Sequence, residues 1–146
     1  LRTSGAVSIM SVIYLIGSLR NPKVPQVAQY LRLLGHEVFD DWHAAGPEAD
    51  DYWQQYEIAR GHTLAEALQG YAARHVFEYD HYHLNRADIG VLMLPTGKSG
   101  HLEFGYLIGR GKPGYILLDK EPERFDVMYR FACGVYSTLK ELGEAL

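Results

Sequence analysis

Short apolar runs that alternate with amphipathic segments restrict the fold of this chain more than any other feature. The segments 12–16, 89–94 and 114–118 are continuous apolar runs of strand length. Such runs are typical of parallel strands that are covered on both faces. Between the first two runs, apolar residues recur at helical spacing until Gly35: Val24, Val27, Ala28, Leu31 and Leu34. The alternation predicts a parallel sheet with helices packed against it.

The remaining segments complete the pattern. We expect a second strand at 37–40, one or two helices over 64–84 with a break at Gly70, and a helix over 102–108. A turn of helix, a brief strand and a last helix should occupy 126–145. The acidic and aromatic segment 44–61 is longer than the connection such a sheet needs, and predicts a lid or a substrate-binding insertion. The predicted fold is a single-domain α/β fold, a doubly wound parallel sheet of the flavodoxin or Rossmann type with helices on both faces.

Length, charge and cysteine content limit the classes of function. The 146 residues suit one domain. We place it at residues 10–146, because Met10 looks like a natural start and residues 1–9 like a cloning remnant. The net charge of -4 disfavours polymeric nucleic acid as a partner. No apolar run approaches the roughly 20 residues that cross a bilayer. The single cysteine, Cys133, suits a reducing compartment, and we expect it to be buried in a cytoplasmic protein with no membrane partner.

Three predicted loops meet at the carboxyl edge of the sheet, where ligands bind in folds of this type. The first is a Gly-Ser-Leu-Arg turn before a helix, a setting that favours an anion such as phosphate. The alternative is an ordinary turn with a solvated arginine, and the turn alone favours neither. The expected substrate-binding residues of the three loops are Gly17, Ser18, Leu19 and Arg20, then Asp41 and Trp42, then Gly97, Ser99 and His101.

Two carboxylates are candidates for the chemistry. Glu103 is expected in the first turn of a helix, beside apolar neighbours that favour a nucleophilic carboxylate. On residue chemistry alone, the more frequent role is that Glu103 only complements the helix dipole. Asp80 is the second candidate, because retaining glycoside chemistry requires two carboxylates that flank the scissile bond. Asp88 more often caps or starts a strand.

Histidines and aromatic residues give weaker signals. The seven histidines lack metal-ligand spacing, since His81 and His83 are two apart and no HExxH occurs. We expect neither a metal nor an organic cofactor, and structural roles for the histidines other than His101. Four aromatic residues could stack on a base, although at this spacing they are more often core: Tyr52, Trp53, Tyr56 and Tyr71.

Three blocks of the sequence resemble the nucleoside 2-deoxyribosyltransferase family. They are residues 13–18, residues 85–92, and residues 99–106 followed by the Gly-Arg-Gly-Lys-Pro turn at 109–113. The likeness spans nearly the whole chain from Val12. The last block is the most specific, because the family places its nucleophilic glutamate in a Glu-x-Gly-Tyr stretch before a Gly-Lys turn. Glu103 falls at that position.

The resemblance implies roles for further residues. Tyr14 matches a first-strand tyrosine that helps to hold the nucleophile, and Asp80 matches an aspartate that contacts the leaving base. Asp126 and Met128 lie in a segment similar to one that the family lends to a neighbouring subunit. A homodimer or larger homo-oligomer is therefore implied, with a small nucleoside or nucleotide as substrate.

The sequence departs from the transferases at two places. Gly97, Lys98 and Ser99 stand where the transferases carry an acidic residue that binds the sugar hydroxyl. The Gly-Ser-Leu-Arg turn instead looks like the Gly-Ser-Ile-Arg stretch with which related deoxynucleoside 5′-monophosphate N-glycosidases grip phosphate. We therefore favour cleavage of the N-glycosidic bond of a (deoxy)nucleoside 5′-monophosphate or nucleoside, through a glycosyl-enzyme on Glu103 that water resolves. Base exchange by a deoxyribosyltransferase and a non-catalytic nucleotide-binding module are the alternatives.

Overall fold

The computed structural model describes residues 11–146. The expected start at Met10 and the expected remnant at residues 1–9 lie outside the described residues. Two 3-10 helices, η1 and η2, accompany the strands and α-helices. In chain order the elements are β1 (Val12–Ile16), α1 (Val24–Leu33), β2 (Glu37–Phe39), η1 (Asp41–Ala45), α2 (Ala49–Ala59), α3 (Leu64–Leu68), α4 (Tyr71–Arg86), β3 (Ile89–Leu94), α5 (Lys98–Gly109), β4 (Gly114–Leu118), η2 (Val127–Phe131), β5 (Gly134–Tyr136) and α6 (Leu139–Ala145).

The five strands form one parallel sheet in the order β2-β1-β3-β4-β5. This order and the helices on both faces confirm the predicted doubly wound α/β fold. The chain reverses its direction of winding between β1 and β3, which are neighbours in the sheet. In open parallel sheets a crevice forms beyond the carboxyl ends of the strands at that reversal. The fold therefore places the candidate cleft after Ile16 and Leu94.

Alternate residues of each strand face two separate cores. On β1, Ile13 and Leu15 pack in a core with apolar residues of α1 and α6. Tyr14 and Ile16 face the other core, which α4 and α5 cover. Because Tyr14 shares the face covered by α4 and α5, its side chain points towards the helices that carry Asp80 and Glu103.

Helix α1 follows its predicted apolar spacing and ends at a glycine. Val24, Val27, Ala28 and Leu31 are buried, and Gly35 has a φ of 102°, a conformation that glycine adopts without steric cost. The prediction that Leu34 belongs to the apolar face was wrong. The helix ends at Leu33, and Leu34 is 48% exposed because the chain already turns away from the core.

Helix α5 begins earlier than the sequence predicts, at Lys98 instead of residue 102. Gly100 lies so close to the sheet that an added Cβ would be 2.8 Å from the Thr96 hydroxyl oxygen and 3.2 Å from Ile16 Cγ2. This close approach fixes the first turn of the helix, and a reading of the segment as a glycine-rich loop misses it. Glu103 consequently lies in the second turn of α5, so the expected place in the first turn was wrong. A role limited to the helix dipole loses its support, since that effect is confined to the first turn.

The segment 44–61 is largely helical, since it contains the end of η1 and all of α2. Gly70 separates α3 from α4, as predicted. Cys133 is exposed, so its predicted burial was wrong; it precedes β5, which lies at the edge of the sheet. Among residues 11–146, no helix combines the length and apolar character that crossing a bilayer requires.

Candidate functional site

Three residues from distant parts of the sequence meet on the face of the sheet that α4 and α5 cover. Tyr14 on β1 is 1% exposed, and its hydroxyl donates a hydrogen bond to Glu103 Oε2 on α5 at 3.0 Å. Asp80 lies on α4, near enough for its charge to raise the pKa of both Tyr14 and Glu103. Helices α4 and α5 contact each other on this face of the sheet. The fold thus brings together the three residues for which the sequence predicts catalytic roles.

The surroundings of this cluster disfavour negative charge. Burial raises the pKa of Glu103 from 4.5 to about 7, and the charge of Asp80 adds to the effect, while the hydrogen bond from Tyr14 opposes it. Burial and the charge of Asp50 raise the pKa of Asp80 from 3.8 to about 6. Burial and the charges of Glu103 and Asp80 raise the pKa of Tyr14, which keeps its proton. Both carboxyl pKa values are therefore raised towards neutral pH, which suits acid-base chemistry there.

An aromatic wall adjoins Tyr14 and was not predicted from the sequence. The rings of Phe39 and Tyr14 are 5.0 Å apart, Phe39 stacks on His83 at 3.9 Å, and Tyr79 meets Phe39 edge-on at 5.6 Å. Phe39 ends β2, the strand beside β1, and Tyr79 immediately precedes Asp80. The aromatic wall packs against the ring of Tyr14, whose burial raises the pKa of its hydroxyl. Only the pairing of β1 with β2 could have revealed it.

Ser18 and Arg20 of the Gly-Ser-Leu-Arg turn line a cavity of about 290 Å³. The Ser18 hydroxyl accepts a hydrogen bond from Arg20 N at 3.1 Å. The Arg20 guanidinium donates to Asp51 of α2 at 2.6 Å, and Lys23 donates to Asp119 at 2.5 Å. Leu19, between Ser18 and Arg20, is half-buried. The predicted cation Arg20 and the unpredicted Lys23 thus lie beside this cavity, and each of them is paired with a carboxylate.

Trp42 joins the second loop to the first. Its Nε1 donates to Leu15 O at 2.8 Å, and its ring lies 3.8 Å from where a Cβ on Gly17 would be. His43 Nε2 is 2.9 Å from Asn21 O and strengthens the same junction. These contacts hold the two loops together, which is a structural function for Trp42. Asp41 is exposed at the start of η1.

The predicted residues of the third loop separate onto different sides of α5. Gly97 precedes the helix and is exposed, and Ser99 lies one turn before Glu103 on the same side. His101 does not lie in a loop, as was expected, but in α5. Because residues two apart on a helix point in nearly opposite directions, His101 faces away from Glu103. Its ring nitrogens lie 2.8 Å from Gly97 O and 2.8 Å from the Tyr129 hydroxyl.

Asp126 and Met128 line a second cavity on the side of α5 that carries His101. This cavity of about 280 Å³ is mainly apolar, and Phe104, Ile108 and Phe131 contribute to it. Asp126 Oδ1 accepts a hydrogen bond from Met128 N at 2.8 Å and caps η2. Within one chain the two residues are thus separated by α5 from Glu103. Their predicted role in a neighbouring subunit, and the homo-oligomer, stay predictions.

The other sequence candidates have simpler positions. Asp88 Oδ2 accepts a hydrogen bond from Val12 N at 2.8 Å, which confirms its role at a strand start. Tyr52, Tyr56 and Tyr71 are exposed, so a place in the core was wrong for them, and Trp53 is half-buried. Within residues 11–146 no group of three or more histidine, cysteine or acidic side chains is arranged to hold a metal ion.

Comparison with known proteins adds structural neighbours. No family model matches the chain, and no curated protein matches its sequence. A 2-deoxyribosyltransferase from Bacillus psychrosaccharolyticus is similar in structure, with a TM-score of 0.62 and 20% identity over 91% of this chain and 90% of that one. The CMP N-glycosidase BcmB from Clostridium botulinum is also similar, with a TM-score of 0.56 and 15% identity over 92% and 96% of the two chains. At these identities the likeness shows a shared fold.

Proposed function

We propose that this protein is an enzyme of the nucleoside 2-deoxyribosyltransferase type that cleaves the N-glycosidic bond of a nucleoside or nucleoside 5′-monophosphate. The observation that carries the proposal is the hydrogen bond from Tyr14 to Glu103, with Asp80 near enough for its charge to raise the pKa of Glu103. Two neighbouring carboxyl groups, one of them oriented by a buried phenol, match the demands of retaining glycoside chemistry. The sequence blocks around Tyr14 and Glu103 and the printed activities of the two structural neighbours support the same reaction.

Glu103 is the proposed nucleophile. Its carboxylate attacks the anomeric carbon, the bond from that carbon to the base nitrogen breaks, and the bonding electron pair leaves with the base. The result is a glycosyl ester on Glu103. Water then attacks the same carbon, the ester bond breaks, and the sugar is released with Glu103 regenerated as a carboxylate.

Asp80 is the proposed acid. In its protonated form it donates a proton to the departing base, and as a carboxylate it accepts one from the attacking water. Burial and the charge of Asp50 raise the pKa of Asp80 to about 6, which brings its proton transfer close to neutral pH. A base that covers Asp80 and excludes water raises the pKa of Asp80 further and favours the productive arrangement of the proton.

Tyr14 is the proposed positioning residue. Its hydroxyl donates to one carboxylate oxygen of Glu103, which leaves the other oxygen for the attack. The raised pKa of Tyr14 keeps it a donor throughout the cycle. We place the 5′ end of the substrate at residues 17–20, where the first turn meets the carboxyl edge of the sheet. The chemistry assigns no step to a metal or organic cofactor.

Release of free base from a panel of nucleosides and their 5′-monophosphates tests the proposal. We expect release by the wild type, none by Glu103→Gln, and normal release by Glu78→Gln, a matched substitution at an exposed site on α4. Mass spectrometry of acid-quenched reactions should find the glycosyl adduct on the peptide that contains Glu103. Full activity of Glu103→Gln would refute the assignment.

A second free base in the reaction separates the alternatives. Exchange that depends on an added acceptor base would identify a transferase, whereas release into water alone would identify a hydrolase. Binding of every ligand without turnover would identify a nucleotide-binding module and contradict the proposed catalysis.

A further inference from the structure

We propose that Asp51 of helix α2 is a specificity-determining residue that competes with a substrate 5′-phosphate for Arg20. The inference rests on the proposed function, because it concerns which 5′ end the same cleft accepts. Asp51 belongs to the segment 44–61, which is longer than the connection that a doubly wound sheet needs at this point. The segment therefore adds a carboxylate of its own to a turn that otherwise has the composition of a phosphate site.

The contact itself is direct. Arg20 Nη2 and Asp51 Oδ2 are 2.6 Å apart, and the two side chains are 65% and 49% exposed. Arg20 and Lys23 both line the cavity beside the Gly-Ser-Leu-Arg turn, and Lys23 is paired with Asp119. In this cavity, which we call the 5′ cavity, each of the two cations is thus paired with a carboxylate. A phosphate that binds there meets two cations whose charges are already partly neutralised by carboxylates.

The remainder of α2 holds Asp51 in this position. Near the carboxyl end of the helix, Glu57 is 3% exposed, and its Oε1 lies 2.7 Å from His62 Nδ1. At the amino end, Asp50 is near enough to Asp80 for its charge to raise the pKa of Asp80. The first turn of α2 therefore places one carboxylate near the proposed acid and the next one against Arg20, and a buried polar contact anchors the other end of the helix.

The energetic balance makes Asp51 a modulator of specificity. An exposed ion pair contributes little, so a phosphate can displace Asp51 from Arg20 at a modest cost. A displaced but ionised Asp51 still repels the phosphate across a short distance. A substrate with a neutral 5′-hydroxyl meets neither penalty and can donate a hydrogen bond to Asp51. Asp51 should consequently shift preference towards the unphosphorylated nucleoside.

The test is the ratio of kcat/KM for a nucleoside 5′-monophosphate to kcat/KM for the nucleoside with the same base. Asp51→Asn keeps the shape of the side chain and removes its charge, and should raise this ratio on the order of five- to tenfold. Asp50→Asn is the matched control, because it removes an adjacent charge that faces Asp80. We expect it to change the pH profile and leave the ratio within about twofold, since exposed charges away from a contact have small effects.

Dependence on Arg20 distinguishes direct competition from a general change in charge. In an Arg20→Gln background, Asp51→Asn should raise the ratio by clearly less than it does in the wild type, because only the repulsion of the phosphate remains to be removed and no ion pair exists to be broken. An unchanged ratio in Asp51→Asn, or an equal increase in Asp50→Asn, would overturn the inference while leaving the proposed function intact.

A binding measurement gives the same answer without turnover. Inorganic phosphate, titrated calorimetrically, should bind Asp51→Asn more tightly than the wild type by the same order of magnitude. Tighter phosphate binding without base release from any substrate would contradict the proposed function and keep the competition for Arg20. Equal phosphate affinity in the two proteins would contradict the role of Asp51.

Discussion

Replacement of Glu103 by glutamine should make the folded protein more stable at alkaline pH while it ends turnover. The pKa of Glu103 is raised from 4.5 to about 7, so the folded state binds the proton more tightly than the unfolded chain does. Stability from such a group is fully present below the unfolded pKa and is lost as the pH rises through the folded pKa. The ionised carboxylate therefore destabilises the native state above pH 7, where the proposed nucleophile is active.

The size of the effect follows from the same values. A pKa difference between 4.5 and about 7 corresponds to about 3.4 kcal/mol in the fully ionised limit, at about 1.36 kcal/mol per pKa unit. Between pH 5 and pH 8, linkage makes the loss about 2.5 kcal/mol. Glu103 keeps some contact with solvent and shares its proton with Asp80, so we expect about 1–2 kcal/mol in practice.

Urea unfolding at pH 5 and pH 8 measures this difference. The free energy of unfolding of the wild type should fall between the two pH values by about 1–2 kcal/mol more than that of Glu103→Gln. The exposed-site variant Glu78→Gln should follow the wild type. Equal pH dependence in the wild type and Glu103→Gln would refute the claim that burial holds this carboxyl in an unfavourable charged state. Such a result would also remove the energetic argument for Glu103 as a poised nucleophile.

Three further predictions concern the groups that surround Glu103. Tyr14→Phe removes the hydrogen bond that stabilises the carboxylate, so the pKa of Glu103 should rise above 7 and kcat/KM at neutral pH should fall by about ten- to a hundredfold; a pH-rate profile with an unmoved acid limb would contradict this. Asp80→Asn removes a charge that raises the pKa of Glu103, so that pKa should fall, as nuclear magnetic resonance titration of the carboxyl carbon can measure; an unchanged titration would show that the two groups do not interact. Gly100→Ala inserts a methyl group against the sheet. It should lower the free energy of unfolding, measured with urea, by about 1–3 kcal/mol, and it should also lower the activity. Gly105→Ala, in the same helix with open space around the new methyl, should stabilise by up to about 1 kcal/mol, and an equal cost at both sites would contradict the packing argument.

The local pattern of the sequence determined most of the fold. Strands that are buried on both faces consist of continuous apolar runs, so the position of these runs in the sequence was enough to locate β3 and β4 to the residue. The apolar face of α1 and the break at Gly70 follow from helical spacing and from glycine. These features depend on neighbours within a few positions, which a linear sequence displays directly.

The candidate site depended on the sequence in a different way. Residue chemistry alone favoured a dipole role for Glu103, and the resemblance to a family supplied the link to Tyr14 and Asp80. The contact between Tyr14 and Glu103 joins residues 89 positions apart, and no local pattern encodes such a distance. The positions of His101 and of Glu103 within α5 were also misjudged, because the start of that helix is fixed by packing against Ile16 and Thr96.

By itself, then, the sequence determined the order of strands and helices and the kinds of side chain available at their ends. Tertiary structure alone decided which of those side chains are neighbours, and with what charge. Burial and the approach of the Asp80 carboxylate raise the pKa of Glu103, and the ion pair with Asp51 occupies Arg20. Solvation and Coulomb energies depend on distances in space, so they are set only when distant segments pack together.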